Sequence, residues 1–186
     1  MRASMVLSQQ KLMKMAVNYL GRYMVTEYKF VEYLDRKINQ SLATNPDQDK
    51  DLIMQWRGEV LNKVKTYNYI SDENYTESKM ASLIRAGRPQ RYIVTYLKNK
   101  GVSQDTIMNI WEKLTQELDY NVDDLAALRY LKKRGFGAYS RKALTDELIK
   151  KQLMSMMRAG YSYEQSSRAI KLSYDEIEEV LSQNYI

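Results

Sequence analysis

Residues 84–105 read IRAGRPQRYIVTYLKNKGVSQD. They contain one whole helix with its start and stop signals. Gly87 suits the end of a preceding helix, where a left-handed residue often follows the last turn. Pro89 fits the first turn of the next, where no amide hydrogen is required. Tyr92, Ile93, Tyr96 and Leu97 then fall at i, i+1, i+4 and i+5, one apolar stripe over 89–100. Gly101 closes that helix. Val102-Ser103-Gln104-Asp105 opens another with an apolar residue, a hydroxyl for a free first-turn amide, and an acid near the positive end of the helix dipole.

The other face of the 89–100 helix has a different character. Arg91, Thr95 and Lys98 fall at i, i+4 and i+7. Arg85 and Arg88 extend the positive charge across the preceding junction, and Lys100 ends it. No acid occurs between Glu77 and Asp105. A solvated face needs charge, but usually of mixed sign with i,i+4 pairing. The stretch is open to three readings: a nucleic-acid contact, a protein-docking surface, or the outer face of an ordinary core helix.

The same start signals recur at Val25-Thr26-Glu27, Ile70-Ser71-Asp72-Glu73, Tyr161-Ser162-Tyr163-Glu164 and Leu172-Ser173-Tyr174-Asp175. Gly87, Gly101, Gly135 and Gly160 each follow a segment ending in Lys, Arg or Ala, as helix ends do. The pattern predicts helices at 8–23, 27–39, 48–66, 72–86, 89–100, 104–117, 123–134, 140–158, 163–170 and 174–183. The run Asn39-Gln-Ser-Leu-Ala-Thr-Asn-Pro46 is expected to be a flexible loop. The helices group into three-helix units at 1–66, 67–118 and 119–186, the third being the least regular. The expected fold class is therefore all-α, with tandem helix-turn-helix-like repeats in an elongated, curved array.

Composition agrees. Seven glycines and two prolines in 186 residues leave little punctuation for a many-turned sheet. Cysteine and histidine are both absent. That excludes disulfides, zinc sites built on Cys or His, and any Ser–His or Cys–His nucleophile pair. No apolar run approaches the ~20 residues of a membrane helix. The first residues lack the apolar core and cleavage site of a secretory signal. The expectation is a cytoplasmic protein with no membrane partner, acting as a monomer. The net charge of +6 and a pI near 9.3 favour a polyanionic or acidic partner. The excess is spread along the chain, so local segregation of charge carries the signal.

A second basic stretch holds Arg129, Lys132, Lys133 and Arg134, then Arg141 and Lys142, around the string GFGAYS. The GFG lacks the spacing of a phosphate-binding loop and no strand precedes it. It reads as a turn carrying positive charge. Lys150, Lys151 and Arg158 form a third patch. Sixteen tyrosines against two phenylalanines is unusual. Most fall at core spacing, while Tyr67, Tyr69 and Tyr139 lie near junctions and are the better contact candidates. The eleven methionines read mainly as gap-filling core. The acid pairs Asp123-Asp124 and Glu178-Glu179 sit at helix starts or on an outer face. Without a cleft-forming motif they suggest neither catalysis nor a metal.

The order of these motifs resembles a known family. Tyr69-Ile70-Ser71-Asp72-Glu73-Asn74-Tyr75, a basic Gly/Pro turn, then Ile93-x-x-x-Leu97-x-x-Lys100-Gly101-Val102 resembles the central repeat of RecX-family proteins. The strings LKKRGFG and MMRAGYSYEQSSRAI resemble the family's third repeat, and VNYLGRYMVTEYKFVEYLDRKI its first. Asn74, Tyr96 and the placement of Pro89 depart from the pattern. The resemblance implies three-helix repeats, no enzyme activity and no cofactor. It implies a partner, the RecA recombinase filament on single-stranded DNA, touched directly or through RecA. Such regulators inhibit strand exchange, ATP hydrolysis and co-protease activity in DNA repair and the SOS response. The expected contact residues are Arg85, Arg88, Arg91, Lys98, Lys132, Lys133, Arg134, Arg141 and Lys142. A helix-turn-helix transcriptional regulator reading duplex DNA is the alternative, and a purely structural helical adaptor the third reading.

Overall fold

The computed structural model describes residues 6–116 and 120–183. Within them the chain is all-α: α1 (Gln9–Leu20), α2 (Glu27–Thr44), α3 (Lys50–Thr66), α4 (Asp72–Arg85), α5 (Gln90–Lys98), α6 (Gln104–Thr115), α7 (Val122–Arg134), α8 (Asp146–Ala159), α9 (Tyr163–Lys171) and α10 (Tyr174–Gln183). One 3-10 turn, Gly137–Tyr139, lies between α7 and α8. No strand occurs among the described residues. Among them, too, no helix is long and apolar enough to cross a membrane. The expected helix end at 117 and the boundary between 118 and 119 lie outside the described residues.

All five hydroxyls read as helix starts act as caps. Thr26 Oγ1 accepts from the Lys29 amide at 3.2 Å, Ser71 Oγ from Asn74 at 3.2 Å, and Ser103 Oγ from Thr106 at 3.1 Å. Ser162 Oγ accepts from the Gln165 amide at 3.1 Å, while the Gln165 side chain accepts from the Ser162 amide at 2.9 Å, a complete capping box. Ser173 Oγ accepts from Glu176 at 3.3 Å.

The helix ends repeat one device. The Arg88 amide reaches back to Leu83 O (3.0 Å) and the Gly87 amide to Ile84 O (2.9 Å), the crossed pair of a Schellman end. The same pair closes α7 at Gly135 and α8 at Gly160. It also closes α3, where the left-handed residue is Asn68 at φ 56°. Asparagine tolerates that conformation as few other residues do. At Gly101 the requirement is steric as well: φ is +84°, and an added Cβ would lie 2.3 Å from Tyr28 Cβ.

Two expectations are corrected. The run 39–46 is not a loop, because α2 continues to Thr44. Phe30, Leu34, Ile38 and Ser41 are buried at helical spacing, so the apolar stripe carries the helix onward until Asn45, the residue before Pro46. Residues 140–145 are not helical, because α8 starts six residues later than expected, at Asp146. Ser140 Oγ holds the Lys142 amide (3.2 Å) and carbonyl (2.9 Å) in a local turn, and Thr145 supplies the cap for Leu148.

The chain divides into two compact units. The first comprises Met1–Tyr75 and Lys100–Val102, with a core that includes Leu12, Phe30, Leu34, Ile53 and Val64. Thr26 Oγ1 donates to Lys100 O at 2.6 Å, which ties the 100–102 turn to the start of α2. The second unit comprises Thr76–Asn99 and Ser103–Ile186. There Met80, Ile84, Ile93, Leu97 and Ile107 are fully buried on α4 to α6, and Leu128, Leu131, Met156 and Ile177 on the later helices. Burial of each such side chain contributes roughly 1.5–3 kcal/mol.

Candidate functional site

The start of α5 positions the first group of candidate residues. Arg85 is exposed in the last turn of α4, Arg88 follows the left-handed Gly87, and Arg91 and Lys98 project from the outer side of α5. Thr95 Oγ1 donates to Arg91 O at 2.9 Å and keeps that side of the helix polar. Among the described residues, Arg85, Arg91 and Lys98 enter no ion pair.

The tyrosines of α5 differ from expectation. Ile93 and Leu97 are fully buried, but Tyr92 is 37% exposed and is not core. Its ring stacks on Tyr96 at 6.4 Å, with 18° between the planes. The Arg88 guanidinium lies 4.6 Å over the Tyr92 ring, and Lys79 Nζ 5.3 Å from the Tyr96 ring. Arg88, Tyr92, Tyr96 and Lys79 thus form a ladder of cation, ring, ring and cation along the outer side of α4 and α5. Guanidinium–ring contacts of this kind add about 0.5–1 kcal/mol at exposed sites. Lys79 was missed from sequence. The acid-free run after Glu77 was its only signal.

The α4–α5 turn is fixed from α7 and α9. The Tyr161 hydroxyl donates to Gly87 O and lies 3.1 Å from Ala126 O. Burial raises the pKa of that phenol, with the nearby Asp123 charge adding to it, so it stays a donor. A Cβ on Gly87 would lie 2.9 Å from Ala126 O. Arg129 Nη1 donates to Ile84 O at 3.3 Å, placing a cation at the negative end of α4. Asp123 Oδ1 accepts from the Gln90 amide at 2.7 Å and closes the start of α5. Beside it a polar cavity of about 330 Å³ is lined by Gln90, Trp111, Asn121, Asp123 and Gln165. The other member of that acid pair, Asp124, accepts from Arg168 Nη2 at 3.0 Å.

The second basic group is less uniform than its sequence. Lys132 Nζ contacts both Glu178 oxygens, at 2.7 and 2.8 Å, and the Tyr139 hydroxyl donates to the same carboxylate. Lys132 and then Tyr139 hold the Glu178 pKa below its usual value, while burial and then Glu178 raise that of Tyr139. Tyr139 is therefore a braced residue, its ring edge-on to Tyr174 at 5.4 Å. Arg134 lies 5.7 Å over Phe136. Lys133, Arg141 and Lys142 are exposed and, among the described residues, in no ion pair. Arg85, Arg88 and Arg91 share the α4–α5 junction, Lys98 lies at the far end of α5, and Lys132, Lys133 and Arg134 share the last turn of α7. Arg141 and Lys142 stand apart on the segment before α8. In the first unit, Tyr67 and Tyr69 flank Asn68 and are 68% and 54% exposed.

Among the described residues, no group of three or more His, Cys, Asp or Glu is placed to hold a metal ion. No protein-family model matches the chain. A regulatory protein RecX of Agrobacterium fabrum (strain C58 / ATCC 33970) is 28% identical over 113 residues, 61% of this chain. The solved structure of RecX from Lactobacillus salivarius superimposes with a TM-score of 0.59 at 20% identity, covering 95% of this chain and 97% of that one. The chain is thus similar to RecX proteins in sequence over part of its length and in fold over nearly all of it. A second solved structure, of a regulatory protein RecX, gives a TM-score of 0.60 at 20% identity over 87% of this chain and 70% of that one. The all-α repeat architecture is thus the RecX fold. The sequence match spans 58% of the length of the Agrobacterium RecX.

Proposed function

We propose that this protein is a member of the RecX family that regulates the RecA recombinase, binding its filament on single-stranded DNA and inhibiting ATP hydrolysis, strand exchange and co-protease activity in DNA repair and the SOS response. The observation that carries the reading to residues is the Arg88–Tyr92–Tyr96–Lys79 ladder, flanked by Arg85, Arg91 and Lys98, which enter no ion pair among the described residues. An exposed ring, Tyr92, and a half-buried one, Tyr96, between cations suit a phosphate backbone or an acidic protein surface. Lys132, Lys133, Arg134, Arg141 and Lys142 form the second part of the proposed contact set. Glu178 balances the charge of Lys132, so Lys133 and Arg134 supply the excess there. The protein acts in the cytoplasm, without enzyme activity, as a monomer.

We also propose that the chain is built as repeats 1–66, 67–118 and 119–186. A recurring joint supports this division. Asp72 in the first turn of α4 accepts from the Glu27 amide at 2.7 Å, just as Asp123 of α7 accepts from Gln90. In each case the first helix of one repeat closes the second helix of the repeat before it.

The test compares fluorescence-anisotropy titrations on bare and on RecA-coated single-stranded DNA. Tighter binding to the coated strand supports the reading. Equal or weaker binding there removes RecA as the partner.

A further inference from the structure

The outward side of α8 is unlike a normal solvated helix face. Glu147, Lys150, Lys151, Met154, Met157 and Arg158 recur at helical spacing on one exposed stripe. Gln152 and Met156 are buried on the opposite side. Glu147 pairs with Lys151 at 2.7 Å, and beyond that pair the stripe holds no acid. Lys150 and Arg158 are in no ion pair among the described residues. Between these cations lie two large apolar side chains, Met154 at 59% and Met157 at 47% exposure. From 150 to 158 the stripe rises about 12 Å, or roughly two turns.

Single exposed apolar residues are ordinary on a protein surface. Two methionines one turn apart, ringed by cations of one sign, are a more specific arrangement. The thioether chains adapt to varied apolar partners, and the cations select the sign of what surrounds those apolar groups. We propose that this stripe of α8 is a docking surface for an acidic amphipathic helix of a partner protein. Two apolar anchors on that helix cover Met154 and Met157, and its carboxylates meet Lys150 and Arg158. This geometry is that of a helix laid against an apolar strip with charged margins. Nucleic acid fits the stripe less well. Its phosphates gain nothing from two thioethers, and the stripe has no ring on which a base could stack, unlike the outer side of α5. The inference is independent of the RecA reading.

The experiment uses the full chain with ¹³C-labelled methionine methyls. Its probe is a synthetic helical peptide with leucine at heptad spacing and glutamate elsewhere. The expected result is a peptide-dependent shift of the Met154 and Met157 methyls, with affinity falling at least about tenfold in Lys150→Glu/Arg158→Glu and in Met154→Gln/Met157→Gln. The control Lys14→Glu/Lys63→Glu, in the first unit, keeps the affinity. The proposal is overturned if the two methyls do not shift, or if the control variant loses as much affinity. It is equally overturned if a peptide with lysine for glutamate binds as well, or if oligothymidylate shifts the same methyls and displaces the peptide.

Discussion

Asp123 Oδ1 lies 2.7 Å from the Gln90 amide, so a carboxylate on α7 closes the start of α5, where Pro89 has no side chain to do so. Asp123→Ala should cost about 1 kcal/mol, the usual worth of a helix cap, and Asp123→Asn less, since the amide oxygen still accepts. Hydrogen exchange locates the effect. The Gln90 amide should lose protection in Asp123→Ala, while the Glu27 amide, held by Asp72, keeps it. Unchanged exchange at Gln90 would mean that this bond does not form in solution.

Two glycines should respond to alanine with opposite signs. Gly58 lies within α3 with nothing within 4 Å of an added Cβ. Gly58→Ala should stabilise by about 0.5–1 kcal/mol. Gly101 combines φ +84° with the 2.3 Å approach of Tyr28, and Gly101→Ala should cost more than about 2 kcal/mol. Urea midpoints decide both; a stable Gly101→Ala would contradict the packing of the 100–102 turn.

Acid should separate Glu178 from Asp72. Glu178 is held below its usual 4.5, first by Lys132 and then by Tyr139. A carboxylate lowered on folding adds stability that is present above its unfolded value and lost as pH falls through its folded one. Glu178→Gln should therefore flatten the loss of stability below about pH 4.5. Asp72 is shifted the other way, raised from 3.8 by burial despite the Glu27 amide bond. Its contribution is full below the unfolded value and declines as pH rises through the folded one, so Asp72→Asn should remove a gain of stability on acidification. Parallel urea titrations from pH 3 to 6 read both; slopes identical to the parent's would contradict the two local environments.

Contacts with phosphate should appear in the salt dependence. If Arg91 and Lys98 each meet one, replacing both by alanine should reduce the log–log salt slope of filament binding by about 1.4. An unchanged slope with weaker binding would place these residues against protein.

Much of the fold was legible because helix ends are local chemistry. Thr26, Ser71, Ser103, Ser162 and Ser173 each bond an amide three residues on, and Gly87, Gly135 and Gly160 close hydrogen bonds within five or six residues. Asn68 escaped notice because asparagine adopts the left-handed conformation far less often than glycine. The end of α2 was misplaced because polar residues at 39–41 hid a stripe that continues through Ser41. The site was less legible because its decisive contacts are remote in sequence. Lys79 meets Tyr96 across seventeen residues, and Glu178 neutralises Lys132 across forty-six. Charge counting marked the basic stretches, but not which of their members are already held.

The most direct test of the central claim is steady-state ATP hydrolysis by RecA on single-stranded DNA with increasing amounts of this protein. The rate should fall progressively, and at least about tenfold more of the Arg88→Ala/Arg91→Ala/Lys98→Ala variant should be needed to reach the same inhibition. A rate unchanged across a wide concentration range, or a variant that inhibits as well as the parent, would contradict the claim.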